Sequence, residues 1–175
     1  MNHAVDSITL LTTYDCNAAC DHCYYHSKPG KTGHMTPEEA ESYFDAIINE
    51  WGKLASVKIL GGEPFMYYKP LLEIIRMASR RGAQVVLLTN GVWGGSDGLA
   101  DRVAREFKEA GLTAAVIGAS GFHAPYVAPE SAVRAAKAAR KHGVQVVMAN
   151  YVLNGIEEEN EYDVESRRLL EMCKA

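Results

Sequence analysis

Gly52, Gly82, Gly111 and Gly143 stand 30, 29 and 32 residues apart by subtraction, each closing a helical pattern and opening a short apolar run. The runs are "ASVKIL", "AQVVLLTN", "LTAAVIGAS" and "VQVVMAN". Apolar runs of this length, rich in valine and isoleucine, suit parallel strands buried on both faces. Glycine just past a helix closes it in the left-handed conformation, which explains the punctuation. A period near thirty residues is one strand plus one helix.

The intervening segments carry helix signals. Thr36, Pro37 and Glu39 supply an N-cap, a first-turn proline and a capping-box acid ahead of "EAESYFDAIINEW". Leu71, Ile74, Ile75 and Ala78 share one face of a second helix, Leu99, Val103, Phe107 and Ala110 one face of a third, and Ala132, Val133, Ala136 and Ala139 one face of a fourth. With "SITLLTT" as the first strand, five strands alternate with five helices, the last within residues 157–175. Consecutive parallel strands joined by helices build a barrel or an open wound sheet. Nothing with a linker's composition divides the chain, so residues 1–175 read as one domain; the loop from Ser27 to Met35 looks the most flexible stretch.

At 175 residues, 47% hydrophobic and 23% charged, the chain has the apolar content for one core. No eighteen apolar residues stand together and no apolar run follows a basic N-terminal segment, so neither a membrane span nor a signal peptide is expected, and the expected location is the cytoplasm. A net charge of −4, with Arg80/Arg81 and Arg140/Lys141 at predicted helix ends, leaves no electrostatic footprint for nucleic acid.

Cys16, Cys20 and Cys23 fall within the segment "YDCNAACDHCYYHS", just past the first strand, and Cys173 is the only other cysteine. In parallel α/β folds the site lies at this end of the strands. In a reducing compartment clustered thiols hold metal or do chemistry rather than cross-link. Three readings stand open. On a helix the spacing would make a small apolar stripe, although Asp15, Asn17, Asp21 and His22 favour turns. With His26 the thiols would form a Cys3His zinc set. They could equally hold an iron–sulfur cluster with one iron left free of protein ligands.

"CNAACDHC" is C-x-x-x-C-x-x-C and resembles the cluster motif of the radical S-adenosylmethionine enzymes. "GGEP", Gly61 to Pro64, at the end of the second strand, resembles that family's methionine-binding motif, and "TNG", Thr89 to Gly91, is common at the end of its third strand. The correspondence runs in order from residue 7 to about residue 153. It implies a partial α/β barrel in which Cys16, Cys20 and Cys23 bind a [4Fe-4S] cluster and S-adenosylmethionine chelates the fourth iron. The implied chemistry is reductive cleavage of that cofactor to a 5′-deoxyadenosyl radical, which abstracts a substrate hydrogen. Gly61 and Gly62 would let backbone approach the methionine, and Glu63 would accept from its ammonium. His22 would contact the adenine. Thr89, Asn90, Ser120 and Asn150, at strand ends, would meet the carboxylate, ribose or adenine, or else cap the following helices.

The chain departs from the family twice. Many relatives read Ser-x-Asp at the fourth strand, whereas "GASGFH" places Gly118 and Ser120 there, so no side chain at 118 reaches a cofactor. Phe122 and His123 would overhang the rim, with His123 a candidate substrate contact or proton donor. Six β/α units are usual in the family and five are recognisable: a sixth strand is absent or reassigned, or the chain is part of a longer protein. An open edge would suit a large substrate, so the expected substrate is a peptide or protein. A small metabolite and a non-catalytic Cys3His zinc module are the alternatives. An electron donor such as flavodoxin or ferredoxin is implied as partner.

Overall fold

The computed structural model describes residues 5–153 and 160–174. Five parallel strands form one sheet in sequential order: β1 (Ser7–Leu11), β2 (Ser56–Leu60), β3 (Gln84–Thr89), β4 (Ala114–Gly118) and β5 (Gln145–Ala149). Between and after them come α1 (Pro37–Trp51), α2 (Tyr68–Arg80), α3 (Asp97–Ala110), α4 (Pro129–Lys141) and α5 (Glu161–Lys174). Of the segment expected to hold the last helix, 157–159 and 175 lie outside the described residues. Short 3-10 turns, Pro64–Tyr67 and Val92–Gly94, follow β2 and β3.

The expected helix signals act as read. Thr36 caps α1 in a complete capping box with Glu39. All four punctuating glycines lie at helix ends with φ between 77° and 99°.

A strictly sequential order with parallel neighbours carries the chain one way across the sheet and stacks the helices on one face, as in a partial barrel. Strand register lines up the helix-facing row Leu10–Ile59–Leu87–Ala115–Val146. These residues pack against Phe44, Ile74, Ile75, Val103, Phe107 and the alanines of α4. Each fully buried aliphatic or aromatic side chain contributes about 1.5–3 kcal/mol. Alternate residues point to the opposite, inner face, where Leu11 pairs with Leu60, and Leu88 with Val116 and then Val147. Two positions further along the strands the inward places pass to Gly62, Asn90, Gly118 and Ala149. Small side chains in that upper row leave room above an apolar floor.

Candidate functional site

The segment after β1 is tied to the strand ends before it presents any cysteine. Thr12 N donates to Leu60 O at 2.8 Å, Gly62 N to Thr13 O at 2.7 Å and Glu63 N to Asp15 O at 2.9 Å. Thr13 Oγ1 donates to Gly33 O at 2.7 Å, and Tyr67, stacked on His34 at 4.2 Å, donates to Asp15 Oδ2 at 3.3 Å. The approach is close enough to demand glycine twice. A Cβ on Gly61 would lie 2.5 Å from Thr13 O, and one on Gly62 would lie 2.0 Å from Asp15 O. Both glycines line the cleft, but what their missing side chains admit is the backbone of the cysteine loop.

That loop delivers three thiols to one cleft of about 410 Å3 at the C-terminal strand ends, lined by Cys16, Cys20 and Cys23 together with His22, Gly61, Gly62, Thr89 and Asn90. Ligand sites occupy about 300–1,000 Å3. Backbone N–H groups already face two sulfurs: Ala18 N to Cys16 Sγ and Ser27 N to Cys23 Sγ, each at 3.4 Å. Asn90 Nδ2 reaches across from β3 to Asn17 Oδ1 at 2.9 Å and to Cys16 Sγ at 3.9 Å. Burial pushes the Cys16 thiol up to about 11 and the Cys20 thiol up to about 12, with the neighbouring cysteines adding to the shift. Thiolates at Cys16 and Cys20 are therefore costly here unless a cation shares their charge, and with Cys23 lining the same cleft the donor set fits an iron–sulfur cluster on that ground. His26 is exposed, at φ 49°, and does not line the cleft. Among the described residues no group of three or more His, Cys, Asp or Glu is placed to hold a single metal ion.

Three expected cofactor contacts are engaged elsewhere. Glu63 is fully buried and caps the 3-10 turn that follows it. Its carboxylate accepts from Thr89 Oγ1 at 2.8 Å, Asn90 N at 2.7 Å and Phe65 N at 3.1 Å, which ties the end of β2 to the end of β3. Burial raises this carboxyl to about 7 against the pull of the three donors. Ser120 is fully buried and lies 2.9 Å from His123 Nδ1. Asn150 donates to Ser166 O of α5 at 2.9 Å. None of the three lines the cleft.

The β4–β5 side carries an aromatic wall. His22 stacks on Phe122 at 4.7 Å and meets His123 at 4.9 Å and Tyr151 at 5.1 Å. Burial lowers the pKa of His22, and lowers that of His123 to about 4 with a smaller contribution from His22, so both rings are neutral at pH 7. Helix α5 fastens the wall: Ser166 Oγ accepts from Gly121 N and donates to Tyr151 O, both at 2.8 Å. Tyr151 and the floor residues Leu60, Leu88, Val116 and Ala149 were not among the residues expected at the site. Their signal was strand alternation: each floor residue is an inward position near its strand's C-terminal end.

A larger groove of about 670 Å3 lies on the outer helical surface between α3 and α4. Four of its charges are paired, Arg134 with Asp97 at 2.9 Å and Lys141 with Asp101 at 2.6 Å, and neither cysteine nor histidine lines it.

A sequential parallel partial barrel with three thiols at its C-terminal rim defines a cofactor-dependent α/β enzyme class. The family model described as the Radical SAM superfamily matches residues 10–169, and the chain belongs to this family, whose members are enzymes that use S-adenosylmethionine and an iron–sulfur cluster. It is 30% identical over 130 residues to the "Putative peptide biosynthesis protein YydG" of Bacillus subtilis (strain 168), across 73% of this chain and 40% of that protein. It is 32% identical over 108 residues to the "Probable GTP 3′,8-cyclase" of Pyrococcus horikoshii, across 62% of this chain and 32% of that one. The fold matches the crystal structure of BtrN in complex with AdoMet and 2-DOIA with a TM-score of 0.64 at 19% identity, covering 86% of this chain and 58% of that one. The chain thus spans less than half the length of the two curated relatives. No helix among the described residues is long and apolar enough to cross a membrane.

Proposed function

We propose that residues 1–175 form the core domain of a radical S-adenosylmethionine enzyme that acts on a peptide or protein, with an electron donor such as flavodoxin or ferredoxin as partner. The observation that carries the reading is the convergence of Cys16, Cys20 and Cys23 on one cleft with Gly61, Gly62 and Asn90. On this reading Cys16, Cys20 and Cys23 would hold a [4Fe-4S] cluster, and the cleft they line would take S-adenosylmethionine. When bound, this pair supplies the electron and the carbon radical that removes a substrate hydrogen.

The chain's own residues bind, orient and shield. The N–H groups of Ala18 and Ser27 and the Asn90 amide spread the negative charge of the thiolates. Glu63 acts on the cofactor at one remove, by fixing Thr89 and Asn90. Leu60, Leu88 and Val116 give an apolar floor, and His22, Phe122 and Tyr151 a wall that excludes water.

The name of the Bacillus relative supports a peptide substrate. So does the mouth of the cleft, where Tyr24 is 88% exposed and Tyr151 49%. The name of the Pyrococcus relative favours a small molecule as the second reading.

Anaerobic reconstitution with iron and sulfide tests the ligand set. Wild type is expected to hold about four irons per chain, with loss in each of Cys16→Ser, Cys20→Ser and Cys23→Ser. Stoichiometric zinc in place of iron, released by His26→Ala, would contradict the reading.

A further inference from the structure

Among the described residues, four buried side-chain polar atoms have no hydrogen-bond partner, and two of them, His22 Nδ1 and Ser27 Oγ, belong to residues that line the cysteine cleft. His22 is the expected adenine contact; Ser27 stands outside every expected contact. Ser27 is 4% exposed. Buried polar groups are nearly always paired, so an orphan hydroxyl on the wall of a ligand cleft calls for a partner that arrives with the ligand.

The backbone is shaped to hold it there. Cys23 N donates to Cys20 O at 3.0 Å and His26 N to Cys23 O at 3.1 Å, two successive turns through the cysteine loop. His26 then takes φ 49°, the one positive φ at a residue other than glycine among the described residues. Left-handed backbone at a residue with a side chain is uncommon and gathers at ligand clamps. Here it folds the chain back so that Ser27 N donates to Cys23 Sγ at 3.4 Å, while the next residue, Lys28, forms a parallel bridge with Asp15. Ser27 is thus fixed from both sides, with its N–H on the Cys23 sulfur and its hydroxyl bonded to no protein atom. The sulfurs of an iron–sulfur cluster, thiolate and sulfide, are acceptors only, so a group that meets them must donate, and a serine hydroxyl can.

We infer that Ser27 Oγ donates a hydrogen bond to a sulfur at the Cys23 corner of the cluster and so sets its reduction potential. This rests on the function proposed above. One electron passes from the donor to the cluster on reduction, and no bond to Ser27 oxygen or carbon forms or breaks. The hydroxyl favours the more negative, reduced form, so removing it makes reduction harder.

The test is an anaerobic redox titration of the reconstituted protein, followed by the electron paramagnetic resonance signal of the reduced cluster. Ser27→Ala is expected to disfavour reduction about tenfold, about 59 mV more negative for one electron. Ser27→Thr, which keeps the hydroxyl, is expected to stay within about threefold of wild type on the same scale. Ser27→Val, close to threonine in shape but without the hydroxyl, should fall with alanine, and His26→Gly, which admits the same φ, should match wild type. Iron content and S-adenosylmethionine affinity are measured alongside. Equal potentials across the series at full iron loading would overturn the inference and leave the proposed function standing. So would weaker S-adenosylmethionine binding by Ser27→Ala at an unchanged potential, because the hydroxyl would then serve that ligand. Loss of iron from the alanine, valine and threonine variants alike would mark position 27 as a packing site and overturn it too. A wild type that takes up zinc and forms no reducible cluster would overturn both.

Discussion

Gly62→Ala isolates the contact that seats the cysteine loop on the sheet. Gly62 does not have a positive φ, so alanine brings no backbone strain of its own and the effect is purely one of space. The new Cβ would lie 2.0 Å from Asp15 O and 2.6 Å from Asp15 C, some 1.4 Å short of the 3.4 Å at which ordinary contact begins. Both sides are backbone, so no rotamer change relieves the clash and the loop itself must retreat. A retreat of that size opens the bonds from Gly62 N to Thr13 O, now 2.7 Å, and from Glu63 N to Asp15 O, now 2.9 Å. At about 1 kcal/mol for each lost bond, with residual strain added, the cost is about 2–4 kcal/mol. Gly61→Ala, with 2.5 Å to Thr13 O, should cost less, and Gly98→Ala, in α3 with nothing within 4 Å of the new Cβ, should stabilise by about 0.5–1 kcal/mol. Urea denaturation under anaerobic conditions, with iron counted after reconstitution, reads both consequences. A Gly62→Ala protein with wild-type stability and full iron loading would refute the reasoning.

Other perturbations separate the remaining roles. Glu63→Gln leaves one N–H, that of Asn90 or of Phe65, facing an amide N–H whichever way the side chain turns, at a cost of about 1–3 kcal/mol. The same residue sets a pH dependence. Its carboxyl rises from 4.5 when unfolded to about 7 when folded. Below 4.5 both states hold the proton; between the two values only the folded state does, so wild-type stability falls by roughly 3 kcal/mol as pH rises through that window and then levels. Glu63→Gln should lack this fall, and parallel profiles for the two proteins would count against the assignment. His26→Ala should keep iron content and melting temperature at wild-type levels, since the ring is exposed and outside the cleft. Ser166→Ala removes the acceptor of Gly121 N and the donor to Tyr151 O, and should cost about 1–3 kcal/mol in chemical denaturation, with the aromatic wall loosened.

The fold was legible because local signals agreed: left-handed glycines closed the helices, and the strand runs lie within two residues of the observed strands at each end. The three cysteines, His22, Gly61, Gly62, Thr89 and Asn90 were legible as cleft residues because strand order fixes which end of the sheet a turn occupies. Chain order does not say which way a side chain turns at that end. Glu63 turns under the rim because two backbone N–H groups and the Thr89 hydroxyl converge beneath it, and Ser120 turns to His123 because Gly118 leaves the imidazole room. Asn150 follows α5, whose docking depends on packing across residues far apart in sequence. The floor of Leu60, Leu88 and Val116 was within reach of alternation in each run, while their meeting as one surface follows from register, which pairs Leu88 with Val116.

The most direct measurement is formation of 5′-deoxyadenosine by the anaerobically reconstituted, dithionite-reduced protein incubated with S-adenosylmethionine. Production that disappears in each of Cys16→Ser, Cys20→Ser and Cys23→Ser is the predicted result. A fully loaded, reduced cluster that binds S-adenosylmethionine yet releases no 5′-deoxyadenosine, with or without candidate peptides, would contradict it.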